Sequence, residues 1–169
     1  SDVCSSDLGA NIFCYEVSNP SDFGIVEFND DEVIKIEEKP KNPASNYAVV
    51  GLYFYDNKVV DYAASLKPSK RGEIEITDIN NIYLKNNELN VSILGDGFVW
   101  LDTGTHKALA DAGIFVSTIE ERQGIKIGCI EKTAFENKWI DLSALIKLSK
   151  LYENSEYGKF LKNYIKKRS

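Results

Sequence analysis

The chain has 169 residues, of which 43% are hydrophobic and 27% charged, and this composition is typical of one globular domain with a sizeable core. The formal net charge of -6 argues against nucleic acid or an anionic membrane surface as the main partner. No apolar run reaches the roughly 18 to 20 residues that a membrane span needs, so the sequence predicts a cytoplasmic protein.

The opening segment "SDVCSSDL", residues 1–8, is polar and rich in serine, and we interpret it as a non-native or artefactual segment. Residues 9–169 then form the domain. The three cysteines lie far apart, and the chain has a single histidine. This pattern indicates buried thiols rather than a structural zinc site.

Short runs of β-branched and aromatic residues predict the strands of this domain. The predicted strands are residues 9–17, 24–28, 33–40, 46–56, 88–95, 97–102 and 125–130. The polar turn at 29–32 joins the second and third strands as a hairpin. The run at 46–56 is almost entirely apolar, which is typical of a strand covered on both faces.

Helical periodicity predicts the remaining elements. One apolar stripe recurs through 73–87, and a second recurs through 106–124, where Gly124 gives a stop signal. Two further helices, hinged at 153–158, fill the region from about 141 to 169. Strands mixed with helices indicate an α/β architecture.

The stretch "VWLDTGTH", residues 99–106, places Asp102 between a predicted strand and a predicted helix. An aspartic protease loop contains Asp-Thr-Gly, but it needs a second copy and lies between strands. A carboxylate at this edge of an α/β sheet can instead hold Mg²⁺ together with substrate phosphates. The spacing alone favours a third interpretation, in which Asp102 caps the following helix.

Two further clusters contain candidate binding residues. Glu38 and Lys39 end a predicted strand, where a carboxylate can accept sugar hydroxyl hydrogens and an ammonium can bind phosphate. A solvated acidic hairpin edge explains them equally well. Arg71 precedes the first predicted helix, so it can bind a phosphate or serve, with Glu73, at the helix start.

Six segments, in this order and at these spacings, closely resemble the glucose-1-phosphate thymidylyltransferase family. They are "FGIVEF" (23–28), "EEKP" (37–40), "SNYAVVGLYFYD" (45–56), "RGEIEITDIN" (71–80), "WLDTGTH" (100–106) and "TIEERQG" (118–124). The resemblance implies part of a Rossmann-like nucleotidyltransferase mixed sheet with flanking helices and a C-terminal helical segment.

In that bacterial family, the glucose-1-phosphate oxygen attacks the α-phosphorus of dTTP. The reaction requires Mg²⁺, releases pyrophosphate and gives dTDP-glucose for the dTDP-rhamnose pathway. The resemblance therefore implies an Mg²⁺-dependent transferase that acts mainly by positioning substrates and neutralising charge. Its implied partners are glucose-1-phosphate and dTTP or dTDP-glucose.

The resemblance also implies roles for particular residues. Asp102 matches the Mg²⁺ ligand of the family's W-L-D-T-G-T motif, and Lys39 matches the lysine that contacts the sugar phosphate, so both are predicted catalytic residues. Glu38 matches the acid that binds glucose hydroxyls. The other predicted substrate-binding residues are Phe23, where the family often carries tyrosine, and Gly24, Val49 and Arg71.

Several parts of the family's site have no counterpart in this sequence. These are the Gly-rich G-x-G-T-R-L-x-P loop, the activating lysine, the base-reading residues and a second Mg²⁺ aspartate. The resemblance therefore implies that residues 9–169 form the C-terminal, sugar-phosphate side of a domain, inactive alone, with an open sheet edge. The alternatives are a non-catalytic sugar-phosphate-binding or assembly module and, less favoured, a dimeric aspartic protease using Asp102.

Regulation and assembly are also implied by the resemblance. The family has an allosteric nucleotide site at a subunit interface, and Asp96 stands where an arginine is usual, so like charge would weaken binding there. Ser117, Ile119 and Glu121 are predicted to line the same region. The tetramers of the family predict a homo-oligomer.

Overall fold

The computed structural model of the protein describes residues 9–30 and 32–168. The opening segment 1–8, interpreted above as artefactual, lies outside the described residues. The chain divides into two compact units, Ser1–Trp100 and Leu101–Ser169. Each unit is built from its own elements.

The first unit contains a mixed sheet with two helices. The strands are β1 (Ala10–Glu16), β2 (Gly24–Asn29), β3 (Glu32–Glu38), β4 (Tyr47–Tyr55) and β5 (Leu89–Leu94). The helices are α1 (Lys58–Ser65) and α2 (Ile76–Lys85), and a short 3-10 helix spans Pro20–Asp22. The α/β class predicted from the sequence is confirmed.

The strand order of the sheet is β3-β2-β4-β1-β5. β1 pairs antiparallel with β4 and parallel with β5. The end of β4 at Tyr55 and the start of β5 at Leu89 both lie beside Ala10, so the chain that forms α1 and α2 leaves and re-enters the sheet at the same edge. β2 and β3 form the predicted hairpin, in the register Gly24↔Glu38. The hairpin joins the sheet where Ile25 pairs with Ala48 of β4.

One face of this sheet packs against α2. Alternation along β1 sends Ala10, Ile12 and Cys14 to that face, and all three are fully buried. The buried Ile79 and Tyr83 side chains of α2 pack into this core, and the Tyr83 hydroxyl donates a 2.6 Å hydrogen bond to Asp56. Burial raises the pKa of the Cys14 thiol to about 11, so this thiol stays protonated and unreactive at neutral pH.

The opposite face is less well covered at β4. Leu52 is 47% exposed and Phe54 is 38% exposed, although the apolar run at 46–56 predicts burial on both faces. That expectation is wrong for the second half of β4, because α1 and α2 both pack with the other set of its side chains.

The second unit is helical. Its helices are α3 (His106–Gln123), α4 (Ile130–Glu136), α5 (Leu142–Leu151) and α6 (Glu156–Lys166). The two helices predicted from about residue 141 onward are α5 and α6, and Asp141 and Ser155 cap their first turns by accepting backbone N–H hydrogen bonds. Cys129, Leu145 and Leu161 form the buried core of this unit.

Two predicted strands do not form. Residues 97–102 and 125–129 are turns and irregular backbone, because a short apolar run carries no period that distinguishes a strand from a loop. Conversely, the sequence reading missed α1, which at eight residues is too short for its periodicity to stand out. Within the described residues, no helix is both long and apolar enough to span a membrane.

A matched pair of glycine substitutions tests the packing of the second unit. An added Cβ at Gly158 in α6 would lie 1.9 Å from the Tyr152 carbonyl oxygen, whereas one at Gly113 in α3 would meet nothing within 4 Å. We expect Gly158→Ala to lower the free energy of unfolding by about 1–3 kcal/mol. We expect Gly113→Ala to raise it by roughly 0.5–1 kcal/mol, because alanine favours a helix interior. Urea unfolding followed by circular dichroism measures both, and a Gly158→Ala variant as stable as the parent chain contradicts this packing.

Candidate functional site

Three residues that are distant in sequence meet at the open end of the β2–β3 hairpin. The strand register places Gly24 opposite Glu38, and Thr77 of α2 reaches the same point. A Cβ at Gly24 would lie 3.0 Å from Glu38 Oε2 and 3.1 Å from Thr77 Oγ1. Glycine at position 24 therefore leaves the small space into which this carboxylate and hydroxyl project.

The Glu38 carboxylate has a defined orientation. The Thr77 hydroxyl donates a 2.6 Å hydrogen bond to Oε2, while Oε1 lies 3.6 Å from Arg71 Nη1. Burial, followed by the negative charge of Glu38, raises the pKa of the nearby Tyr53 phenol. Tyr53 therefore remains a protonated hydroxyl at neutral pH.

Lys39 leaves the hairpin in a different direction. Its backbone has a left-handed φ of 43°, which is uncommon for a residue with a side chain, and its N–H donates to the Phe23 carbonyl over 2.9 Å. Adjacent residues of a regular strand point to opposite faces, and this turn releases Lys39 from that alternation with Glu38. Among the described residues, the Lys39 ammonium has no hydrogen-bond or ion-pair partner.

Arg71 is surrounded by carboxylates. Its guanidinium lies 2.9 Å from Glu73, 3.5 Å from Glu75 and 3.6 Å from Glu38. α2 begins at Ile76, so Arg71 and Glu73 both precede the helix in a turn, and the predicted helix start at Glu73 is wrong. Glu73 is largely exposed, which makes it the carboxylate that an incoming anion could most readily displace from Arg71.

Aromatic side chains form one side of this region. The Phe23 ring packs edge-to-face on Trp100 at 5.0 Å, and Trp100 also contacts the Tyr15 ring at 6.4 Å. Val49 of β4 lies 4.0 Å from the Cβ position of Gly24. The structure thus brings together the predicted residues Phe23, Gly24, Glu38, Val49 and Arg71, and Lys39 follows Glu38 directly along the chain.

The sequence reading did not single out Thr77, Tyr53 or Trp100 as site residues. Thr77 carried a usable signal, since a hydroxyl on the buried stripe of an amphipathic helix needs a partner. Tyr53 and Trp100 lie in apolar runs and carried no such signal. Only the fold places their side chains close to Glu38 and Phe23, respectively.

Asp102 lies in the second unit, in irregular backbone before α3. The helix cap is Thr105, whose hydroxyl accepts the Ala108 N–H at 3.1 Å, so the preference from spacing for Asp102 as the cap is wrong. Asp102 Oδ2 instead accepts the Gly104 N–H at 3.2 Å, and the side chain is exposed. The helix predicted after the Asp-Thr-Gly stretch does form, beginning at the exposed His106.

The predicted allosteric residues occupy two different units. Asp96 is exposed in a turn of the first unit, where the Phe98 N–H donates to the Gly95 carbonyl. Ser117 and Glu121 are exposed on α3 and hydrogen-bond each other at 3.3 Å. Their role as an allosteric site stays a prediction.

Comparison with known proteins gives a consistent result. Residues 4–118 match the nucleotidyl transferase family. The chain is 48% identical over 160 residues to a glucose-1-phosphate thymidylyltransferase from Neisseria meningitidis, with 94% of this chain and 56% of the relative covered. It is 52% identical over 154 residues to another from Mycolicibacterium smegmatis, with coverages of 90% and 54%. The chain thus spans about half the length of the curated relatives it matches.

Solved structures agree with these relatives. A crystal structure from Bacillus anthracis, described as a glucose-1-phosphate thymidylyltransferase in complex with a sucrose, matches with a TM-score of 0.59 at 45% identity. The match covers 65% of this chain and 44% of that one. A UDP-glucose pyrophosphorylase complexed with UDP-glucose matches with a TM-score of 0.58 at 22% identity, over 65% of this chain and 44% of that one. The second likeness supports the fold alone.

The close approach at Gly24 gives a test of the site's geometry. Gly24→Ala inserts a methyl group between Glu38 and Thr77, so we expect it to lower the free energy of unfolding by about 1 kcal/mol through loss of their hydrogen bond. The matched control is Gly51→Ala in β4, where a Cβ meets nothing within 4 Å. Urea unfolding of both variants is the measurement, and equal effects at the two positions would contradict the close approach of Glu38 and Thr77 to Gly24.

Proposed function

Because the chain belongs to the glucose-1-phosphate thymidylyltransferase family, we propose that it supplies the sugar-phosphate side of Mg²⁺-dependent nucleotidyl transfer from dTTP to glucose-1-phosphate. The products are dTDP-glucose and pyrophosphate, which connects the protein to the dTDP-rhamnose pathway. The observation that carries the proposal is the Glu38 carboxylate, held by Thr77 above the side-chain-free Gly24.

The sugar would bind where Glu38 and Gly24 meet. A carboxylate accepts hydrogen bonds from two sugar hydroxyls, and Gly24 lets the ring approach the backbone. Thr77 and Arg71 hold the two carboxylate oxygens in place, so the remaining lone pairs of Glu38 can accept from a ligand with little loss of conformational entropy. Val49 and the Phe23–Trp100 pair offer apolar surface for the sugar's C–H groups.

Two cations would bind the phosphate. Lys39 follows Glu38 along the chain, and its ammonium, which has no partner in the described part of the chain, would neutralise phosphate charge as a point charge. Arg71 first has to exchange the exposed Glu73 for a phosphate oxygen, after which Glu75 and Glu38 still hold the guanidinium in place. Holding the attacking phosphate oxygen in position is the contribution that this half of the site makes to the rate.

Asp102 would contribute to the Mg²⁺ site. Among the described residues no group of three or more acids, histidines or cysteines forms a metal cage. A single exposed carboxylate fits an ion that substrate phosphates hold for the most part, and a resident structural metal does not fit. When bound, Mg²⁺ would neutralise charge on the phosphates, while Asp102, oriented by the Gly104 N–H, would anchor it to the protein.

The share of its relatives that this chain covers also supports a second function, which is binding without catalysis. Since the chain covers only 56% of the Neisseria meningitidis relative, the residues described here could bind a sugar phosphate without turning it over. The non-catalytic sugar-phosphate-binding module predicted as the alternative would use the same contacts. The two functions differ in turnover, not in the sugar site.

Substitution of Glu38 tests the sugar site directly. We expect the purified chain to bind glucose-1-phosphate in isothermal titration calorimetry, and Glu38→Gln to weaken binding about tenfold or more, because hydrogen bonds to a charged acceptor contribute roughly 1.5–3 kcal/mol. The control is Glu37→Gln, which removes the same charge from the neighbouring residue, whose carboxylate pairs with Lys35 instead. The proposal fails if the two variants bind equally well.

Turnover separates the two functions. With Mg²⁺, dTTP and glucose-1-phosphate, we expect the purified chain to release no pyrophosphate above the protein-free rate, because residues that cradle the triphosphate are absent from this sequence. A coupled pyrophosphate assay measures this. Release that depends on Asp102, lost in Asp102→Asn, would show that this chain holds a complete site and would overturn the expectation.

A further inference from the structure

The loop that carries Arg71 is closed on itself by hydrogen bonds to Ser69. The Ser69 N–H donates to the Glu73 carbonyl over 2.8 Å, and the Ser69 carbonyl accepts the Gly72 N–H over 2.9 Å. The Ser69 hydroxyl accepts the Arg71 N–H over 3.1 Å and donates to Glu75 Oε1 over 2.9 Å. One side chain therefore joins the backbone of Arg71 to the residue that precedes α2.

Glu75 stands directly before α2, at the position where a side chain commonly caps a helix. Its carboxylate makes no cap hydrogen bond. It points back to the loop instead, where Oε1 accepts from Ser69 and lies 3.5 Å from Arg71 Nη1. The Glu75 side chain is 12% exposed, whereas that of Glu73 is 62% exposed. Glu75 is thus the fixed carboxylate beside Arg71, and Glu73 is the exchangeable one.

The start of α2 holds both parts of the candidate site. Thr77 donates to Glu38, and two residues earlier Glu75 contacts Arg71. Arg71 Nη1 also lies 3.6 Å from Glu38 Oε1. The placement of the guanidinium beside the Glu38 carboxylate therefore depends on the contact between Ser69 and Glu75.

We propose that Ser69 and Glu75 are positioning residues, which hold the Arg71 guanidinium beside Glu38 for the phosphate of glucose-1-phosphate. This inference rests on the proposed function, because that phosphate is the ligand that Arg71 would bind. A long arginine side chain loses conformational entropy when it binds an anion. Holding the guanidinium in place beforehand lowers that cost of binding.

Charge alone predicts a different result from positioning. Glu73 and Glu75 both lie close to Arg71, and each carboxylate repels a phosphate. If only charge mattered, removing either one would strengthen phosphate binding. Positioning predicts opposite signs, so we expect Glu73→Ala to strengthen binding about twofold and Glu75→Ala to weaken it about threefold or more. Strengthening by both variants would overturn the role of Glu75.

The test of Ser69 is a double-mutant cycle with Arg71, measured as glucose-1-phosphate binding to the purified chain by isothermal titration calorimetry. Ser69→Ala changes no charge, and we expect it to raise the Kd about fivefold through loss of the hydroxyl contacts. Arg71→Ala should raise the Kd further. Adding Ser69→Ala to Arg71→Ala should then change nothing, because Ser69 acts through Arg71.

Two further variants complete the test. Ser69→Thr keeps a hydroxyl and should recover the affinity that Ser69→Ala loses. The matched control is Ser65→Ala, which removes a hydroxyl that donates to the Tyr62 carbonyl at the end of α1 and should bind like the parent chain. Circular dichroism verifies that each variant folds.

The remaining outcomes separate this inference from the proposed function. Additive losses in the cycle, an unchanged Kd in Ser69→Ala, or no recovery in Ser69→Thr would overturn the positioning role while leaving the sugar-phosphate site intact. A parent chain that binds no glucose-1-phosphate would overturn the proposed function and this inference with it.

Discussion

The contact on which the described site depends is the hydrogen bond between the Thr77 hydroxyl and the Glu38 carboxylate. It joins the first turn of α2 to the end of the β2–β3 hairpin, two elements that are 39 residues apart. The Asn81 amide, one helical turn later, donates to the Ile36 carbonyl and reinforces the same junction. These bonds add to the pairing of Ile25 with Ala48 and to the packing of the buried Val26 and Ile36 on β1.

Three carboxylates surround the one guanidinium of the site. Glu38, Glu73 and Glu75 surround Arg71, so the ligand-free site carries an excess of carboxylates around one guanidinium. Such an arrangement keeps Arg71 in position, and in the proposed function a dianionic phosphate competes for it, because charge-assisted bonds to phosphate are strong and bidentate. Lys39, released from the strand alternation by its left-handed backbone, is the second cation of that proposal, and its ammonium has no partner among the residues that the structure describes.

The uncovered face of β4 and the hairpin site belong to the same unit. In layered α/β proteins a sheet supports the ligand site at its edge and is itself supported by helices on both faces. In this unit α1 and α2 pack on one face, while Leu52 and Phe54 on the other face are 47% and 38% exposed.

The sequence by itself determined the strands from β1 to β5 and the helices α2, α3, α5 and α6, because each has a clear apolar period or a dense run of strand-forming residues. It also determined the family, since collinear motifs carry more information than any one residue. It did not determine the state of residues 97–102, which are apolar enough for a strand and form none. Its spacing also favoured Asp102 as the cap of α3, whereas Thr105 is the cap.

Only the tertiary structure decided which side chains meet. Glu38, Gly24 and Thr77 lie on a strand end, a facing strand and a helix, and their distance depends on a hairpin register and on the packing of α2 against the sheet, which local sequence does not encode. The exposure of Leu52 could likewise not be predicted from the sequence, because an apolar residue in a strand has the same sequence signature whether or not another element covers it. Propensity and periodicity act over neighbouring residues, whereas burial and hydrogen-bond partners are set by the packing of distant ones.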